Sequence, residues 1–454
     1  MVSKVKKSSK KKNLPKKNTS TKNKSSITLT KSKNSPTVFP NKQKKEIKNI
    51  SAQDWSKLFD LQLKEKKFEV AHKMLAEVNG IKRWQKLNLL ATISAHQEDF
   101  KLCEDYMRQA IREKDCGSGV KRNLGGLLVS QGKMADALTF CQAAYKEDKK
   151  DIKALRLYLN CLLDLGQGEV VLKTCIDALK LFPDDKSILI ANASALRSTS
   201  KIPEAEKEIE RLIKLFPEEP VVHRLKADLS GDFDSSSAIK YYDKALELSE
   251  KISGIKDPAV EWNMSLHLLR TRDFVRGWAA WEQGFHKVVG TMGRNLPPRI
   301  KQLPRIDTKK KLDKDKWTLV VAEQGIGDQV LFLAAMSDFI KDHGKVLFIC
   351  EPRLHPILER SYKNMVLGCP GLTFDWEKSA VLKNGYVPLG SIPGMYIQSI
   401  EDYKKYRKPF LQVNGTLYKK YRTHLKKLAK GRPVIGFSWK GGYWAIQRKT
   451  KALL

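Results

Sequence analysis

The 454-residue chain predicts an α-helical solenoid of paired helices followed by an α/β domain. Three observations carry that prediction. Small or apolar residues recur at a fixed spacing across roughly 85–250. Leu-Phe-Pro recurs with the same spacing, at 181–183 and 215–217. Downstream, a short apolar run at 317–322 opens onto a glycine turn and an amphipathic stretch.

The repeat is read from its anchors. Ala110, Ala144, Ala178 and Leu212 stand 34 residues apart, and Ala245 follows after 33. Seven residues before each stand Cys103, Ala137, Val171, Ala205 and Ala238. Ala91, Gly125 and Ala193 precede their anchors by 19, while Leu159 and Lys226 fit that position less well. Two antiparallel helices fill such a period, and small side chains are needed where they cross. One pair cannot bury its own apolar face, so pairs must stack. The segment 123–148, with Gly125, Gly132, Ala137 and Ala144 at its small positions, resembles the tetratricopeptide repeat (TPR). Five repeats are expected across roughly 85–250, with 54–78 as a degenerate capping repeat that carries Trp55, Phe68 and Ala71. The solenoid is assigned to 51–290. Its default function is binding, with an extended protein or peptide on the concave face.

The stretch 257–285 continues the solenoid with Asp273, Phe274, Gly277, Trp278, Trp281 and Glu282. It resembles the last repeat of bacterial TPR proteins whose C-terminal domain is glycosyltransferase-like. Arg272 stands where that pattern has glycine. The aromatics are expected to pack in the core and at the domain interface. Pro297-Pro298, Pro304 and a lysine run mark 291–316 as a linker.

Trp317–Ala322 reads as a strand, Glu323–Asp328 as a turn, and the residues to about Lys341 as a helix. Residues 345–351 and 352–362 repeat the strand–helix order. This is the opening of a Rossmann-like unit, assigned to 317–433. Two glycines let the backbone turn and approach a ligand, and a helix N-terminus favours an anion. No third glycine stands at dinucleotide spacing, so NAD is not expected.

The string 322–336, with Glu351-Pro-Arg-Leu, Pro388–Pro393 and Ile435–Gly442, is similar to TPR-linked relatives of the ADP-heptose:lipopolysaccharide heptosyltransferases. That resemblance covers about 257–454. It implies the N-terminal half of a GT-B fold and inverting sugar transfer from a nucleotide-sugar donor to a glycan or protein acceptor. The resemblance places a general base at Asp328. The alternative is that Asp328 caps the following helix. Glu323 and Gln324 would hydrogen-bond the acceptor or stabilise the loop that Gly325 and Gly327 shape. Ser438, Lys440, Gly441 and Gly442 would meet the donor diphosphate, or Lys440 is a surface charge. Arg448 and Lys449 are weaker candidates. Residues 434–454 give only the opening of a second Rossmann domain, so this chain is expected to be inactive. The rival reading is a non-catalytic TPR scaffold that binds protein partners.

Composition limits the remaining classes. The net charge is +35, and residues 1–45 hold fifteen lysines and no acid. A lysine-, serine- and asparagine-rich tail over 1–50 is expected to be disordered, either merely solvated or a weak polyanion tether. Phe39 is its only aromatic residue, so it lacks a base-stacking surface. No apolar run reaches about 18 residues, so no membrane span is expected. The seven cysteines form no CxxC pair. Reduced, buried thiols in a cytoplasmic protein are expected, rather than disulfides or a metal site.

Overall fold

The computed structural model describes residues 52–286, 293–297, 300–306, 312–369 and 384–436. The tail predicted over 1–50, together with Ser438, Lys440, Gly441, Gly442, Arg448 and Lys449, lies outside the described residues. Two compact units divide between Glu77 and Val78.

The first unit contains α1 (Ala52–Lys64) and α2 (Phe68–Glu77). Phe59, Leu63, Ala71, Met74 and Leu75 are buried, and Trp55 stacks on Phe59 with centroids 5.0 Å apart.

The second unit opens with five helix pairs. They are α3 (Arg83–His96) with α4 (Phe100–Ile111), and α5 (Ser118–Ser130) with α6 (Met134–Glu147). Then come α7 (Ile152–Asp164) with α8 (Gly168–Leu181), and α9 (Lys186–Ser198) with α10 (Ile202–Leu215). The fifth pair is α11 (Pro220–Ser230) with α12 (Ser235–Ser253). This is the helical solenoid that the repeat predicts. Ala110, Ala144, Ala178, Leu212 and Ala245 are all fully buried. Phe182 and Phe216, of the two Leu-Phe-Pro motifs, cap α8 and α10.

The poor fit at Lys226 has a simple cause. Ala227, 34 residues after Ala193, is the fully buried anchor. One residue is missing from the stretch that follows, so Lys226 falls beside the seam and pairs with Glu206 and Glu210 at 3.0 and 3.2 Å. Gly125 occupies the same register, and a Cβ there would collide with Cys141 Sγ. Cys103, Cys141, Cys161, Cys175 and Cys350 are buried, and all seven cysteines are free thiols.

Capping ties pair to pair. Asp151 Oδ1 accepts from the amides of Lys153 and Ala154 at the start of α7, while its Oδ2 takes Arg122 Nη1 from α5 at 2.7 Å. Asp185, 34 residues on, caps α9 and pairs with Arg156 of α7 in the same way. One carboxylate thus closes a helix and holds the preceding pair.

A sixth pair, α13 (Pro258–Arg270) and α14 (Phe274–Glu282), completes the stack. The α/β part follows with β1 (Thr318–Val321), α15 (Ile326–Phe332), α16 (Met336–His343), β2 (Val346–Ile349), α17 (His355–Ser361), β3 (Met365–Gly368) and β4 (Tyr386–Pro388). Helices α18 (Ile392–Tyr396), α19 (Ile400–Lys405) and α20 (Gly415–Ala429) come last. The sheet is small and all-parallel, in the order β3-β2-β1-β4, with Val320 beside Phe348 and Leu319 beside Tyr386.

The two faces of the sheet have different covers. Val320, Phe348 and Val387 pack with Phe332, Phe339 and Trp281 of α14. Leu319, Val321 and Leu347 pack with Leu296 and Ile300. The described part of 291–316 is therefore a covering layer rather than a tether. Ile306 donates to Tyr386 O at 2.9 Å, and Tyr386 donates to Pro304 O at 3.0 Å. The prolines and lysines of this stretch gave a linker signal because a cover of irregular backbone has no periodicity to read.

The turn inside five of the six pairs uses one left-handed residue at a fixed place, whereas no residue between α11 and α12 has a positive φ. Glu98, Gly132, Gly166 and Ser200 fill it at 34-residue steps, with φ of 62°, 74°, 69° and 62°. Arg272 does the same between α13 and α14, with φ 70°. Non-glycine residues are strained there by about 1–2 kcal/mol. Ser200→Gly is expected to stabilise the chain by about 0.5–1 kcal/mol once glycine's greater freedom in the unfolded state is subtracted. Urea melts read this directly, and a loss of stability would refute the turn assignment.

Candidate functional site

Two places in the second unit have the geometry to do something. The first is the crevice where β1 and β4 end. In an open parallel sheet the ligand crevice lies beyond the strand C-termini, where the chain reverses its direction of winding. Here β2 and β3 lie to one side of β1 and β4 to the other, so that point falls between Glu323 and Gly390-Ser391.

The crevice is filled by the chain's own Arg294. Its Nε and Nη2 donate to Glu323 Oε1 at 2.9 and 2.6 Å. Nη1 donates to Glu282 Oε1 at 2.8 Å, and Nη2 also donates to Ser391 Oγ at 2.8 Å. The guanidinium lies 4.1 Å from the Phe285 ring centroid and 5.2 Å from that of Trp281. The side chains of Arg294 and Glu323 are 0% and 1% exposed. The Gly390 amide donates to Glu323 Oε1 at 3.1 Å, and a Cβ at Gly390 would stand 2.7 Å from that oxygen. Arg305 pairs with Glu282 from the rim.

Burial pushes the Glu323 carboxyl up, against the pull of Arg294 and the Gly390 amide. Burial also opposes ionisation of Glu282. There, Arg294, Arg305 and Ser391 outweigh it and hold the group below the usual glutamate range. Glu323, a candidate for acceptor or loop contacts, is thus engaged inside the protein. Arg294 and Arg305 carry no sequence signal, and Ser391 is marked only as a member of the Pro388–Pro393 string. A single arginine between a glycine and an asparagine looks like any other linker residue.

The other predicted residues lie on the β1–α15 turn. Gln324 offers its carbonyl to Gln329 Nε2 at 2.9 Å, and Gln329 Oε1 accepts from the Glu351 amide at 3.1 Å, which pins the turn to the end of β2. Gly325 is the N-cap of α15, so Asp328 sits in the first turn and is not the cap. Asp328 is exposed and makes no hydrogen bond or ion pair among the described residues. Neither Gly325 nor Gly327 has a positive φ, and nothing lies within 4 Å of a Cβ placed on Gly327. The turn therefore does not need its glycines for conformation, and the space over Gly327 is open.

The second place is the inner face of the solenoid. First helices α5, α7, α9 and α11 pack side by side, whereas no second helix packs on the next to a comparable degree. The first helices therefore line the inside. Arg122, Arg156 and Arg224 share one register there, and each is matched by an aspartate: Asp151, Asp185 and Asp228. Asn123 donates to Asn88 Oδ1 at 3.4 Å across α3 and α5. Asn160 on α7 is exposed. With its cations matched, this stripe offers amide groups rather than net charge.

Among the described residues no group of three or more His, Cys, Asp or Glu could hold a metal ion. No described helix is long and apolar enough to cross a membrane.

No protein-family model matches the chain. Protein FlbA of Caulobacter vibrioides is 22% identical in an alignment 307 residues long, gaps included, that covers 57% of this chain and 50% of that protein. The chain thus spans about half the length of this curated relative. Similar solved structures include a tetratricopeptide repeat protein from Parabacteroides merdae, at 15% identity and TM-score 0.42, covering 52% of this chain and 94% of that one. The C-terminal part of a TPR repeat-containing protein from Cytophaga hutchinsonii, at 15% identity and TM-score 0.35, covers 50% and 93%. YrrB, described as a TPR protein with an unusual peptide-binding site, has 16% identity and TM-score 0.34, covering 40% and 96%. The fold assignment rests on the helix pairs themselves.

Arg294→Met would leave Glu323 buried without its counter-charge. Removal of one partner from a buried ion pair costs about 3–5 kcal/mol, and that loss is expected here. Arg294→Lys is also expected to destabilise, because lysine lacks the fork and the stacking plane. Denaturant unfolding measures both, and a methionine variant as stable as the parent would show the network to be dispensable.

Proposed function

We propose that the chain is a protein-binding scaffold whose ligand is an extended, largely uncharged peptide segment. The observation that carries this reading is the inner stripe of side-by-side first helices. Its arginines are already matched, while amides such as Asn160 remain open to a ligand. Asparagine side chains both donate and accept, so they suit the alternating N–H and C=O groups of an extended backbone. In this reading the α/β part closes the solenoid, and Arg294 locks the closure.

The test begins by panning a random-peptide library against the immobilised full chain. A selected peptide is expected to lose about tenfold in affinity for Asn123→Ala combined with Asn160→Ala, from one or two lost hydrogen bonds. The melting temperature should fall by no more than the loss of Asn123's own contacts to Asn88 and Arg122 accounts for. If the library yields no binder, or the binder is indifferent to both substitutions, the reading fails.

A second reading keeps the α/β part as the acceptor half of a sugar-transferring enzyme with a nucleotide-sugar donor. It is supported by the exposed, uncommitted carboxylate of Asp328 beside the open space over Gly327. A general base contributes about 10²–10⁴ in rate, so Asp328→Asn is expected to slow transfer by that order with an unchanged melt. The assay is sugar transfer from a nucleotide-sugar donor by the parent and the variant at saturating donor. Full activity in the variant would remove Asp328 from the chemistry.

A further inference from the structure

Helix α20 differs from every other long helix of the second unit because none of its residues is buried. Tyr418, Tyr421, Leu425 and Leu428 recur at spacings of three and four, with Leu417 beside them, so they share one arc of about 120°. Tyr421 is 57% exposed and Leu428 60%. The arc borders a groove of about 720 Å³, to which Ile357, Val413 and Val434 contribute.

The rest of the helix is cationic. Lys419, Lys420, Arg422, Lys426 and Lys427 occupy the flanks and the opposite side, and the helix contains no carboxylate. Lys430 and Arg432 follow, and no acidic residue occurs from 411 to 436. Arg422 Nη1 donates to Tyr418 Oη at 2.8 Å, which places that hydroxyl at the polar border of the arc.

We propose that α20 docks the chain on an anionic lipid surface. The argument is charge complementarity combined with amphipathicity. A helix with an apolar aromatic arc and a lysine-rich remainder lies in the plane of a headgroup layer, with its apolar side in the acyl boundary. Tyrosines at the border of such an arc suit the headgroup level. Because no residue of α20 is buried among the described residues, it reaches a surface without unfolding any of them. A second copy of the chain does not fit, because two such helices would bring like charges together. An acidic protein groove would satisfy the same charges at one place. The excess of positive charge over the whole chain, +35, favours an extended anionic surface instead.

The experiment is vesicle co-sedimentation of the full chain, with phosphatidylcholine alone and with equal parts phosphatidylcholine and phosphatidylglycerol. Binding is expected only to the anionic vesicles. Leu425→Ser with Leu428→Ser is expected to weaken partitioning by about tenfold or more, because apolar insertion sets much of the affinity. Lys419→Gln with Lys426→Gln and Lys427→Gln is expected to weaken it by about a hundredfold, at about 1 kcal/mol per cation. Both variants should melt like the parent, since no buried contact is touched. Unchanged binding by the serine variant would overturn the proposal and leave the lysine-rich N-terminus as the anchor. Equal binding to poly-glutamate in solution, insensitive to the serine substitutions, would overturn it in favour of an acidic protein partner.

Discussion

A single buried guanidinium holds the solenoid to the sheet. Arg294 reaches Glu282 on the last solenoid helix, Glu323 after β1 and Ser391 after β4, while Phe285 and Trp281 close over its faces. Its three polar partners come from three different elements, so none can shift alone. The charge is far from water, which makes the arrangement all-or-none. Geometry that satisfies every donor is tolerated at that depth, and anything less leaves an ion in an apolar medium. The crevice at which parallel sheets ordinarily take ligands is consumed by this joint.

The solenoid was legible because its constraint repeats. A residue that must be small at a helix crossing must be small again one period later, and Ala110, Ala144 and Ala178 say so three times over. Even the misfit at Lys226 was informative, since it marked a missing residue before Ala238. The strand–turn–helix order after Trp317 was legible for a related reason: a fully buried four-residue strand is an uninterrupted apolar run.

The joint was not legible. Arg294 acts through partners at 282, 323 and 391, and one sequence holds no trace of which distant residues will meet. The glycines of the β1–α15 turn misled in the opposite direction. They suggest a tight or left-handed backbone, yet both have ordinary φ values. Of the left-handed positions inside the pairs, Gly132 and Gly166 carry the expected residue, but Glu98, Ser200 and Arg272 stand where a sequence reader does not look for them. The exposed carboxylate of Asp328 could be located from sequence, but its role could not be. A base and a first-turn helix residue ask for the same side chain.

Helix α14 belongs to two cores at once. Ala280 packs into the solenoid and Trp281 into the sheet. This has a consequence for biosynthesis. A chain emerging from the ribosome finishes α14 roughly one hundred residues before β4 exists to help cover it, at about 5–20 residues per second. For several seconds Trp281 and its neighbours face water on one flank of a solenoid that is otherwise complete. That nascent stage is when the protein is most open to a chaperone, or to another unfinished copy of itself.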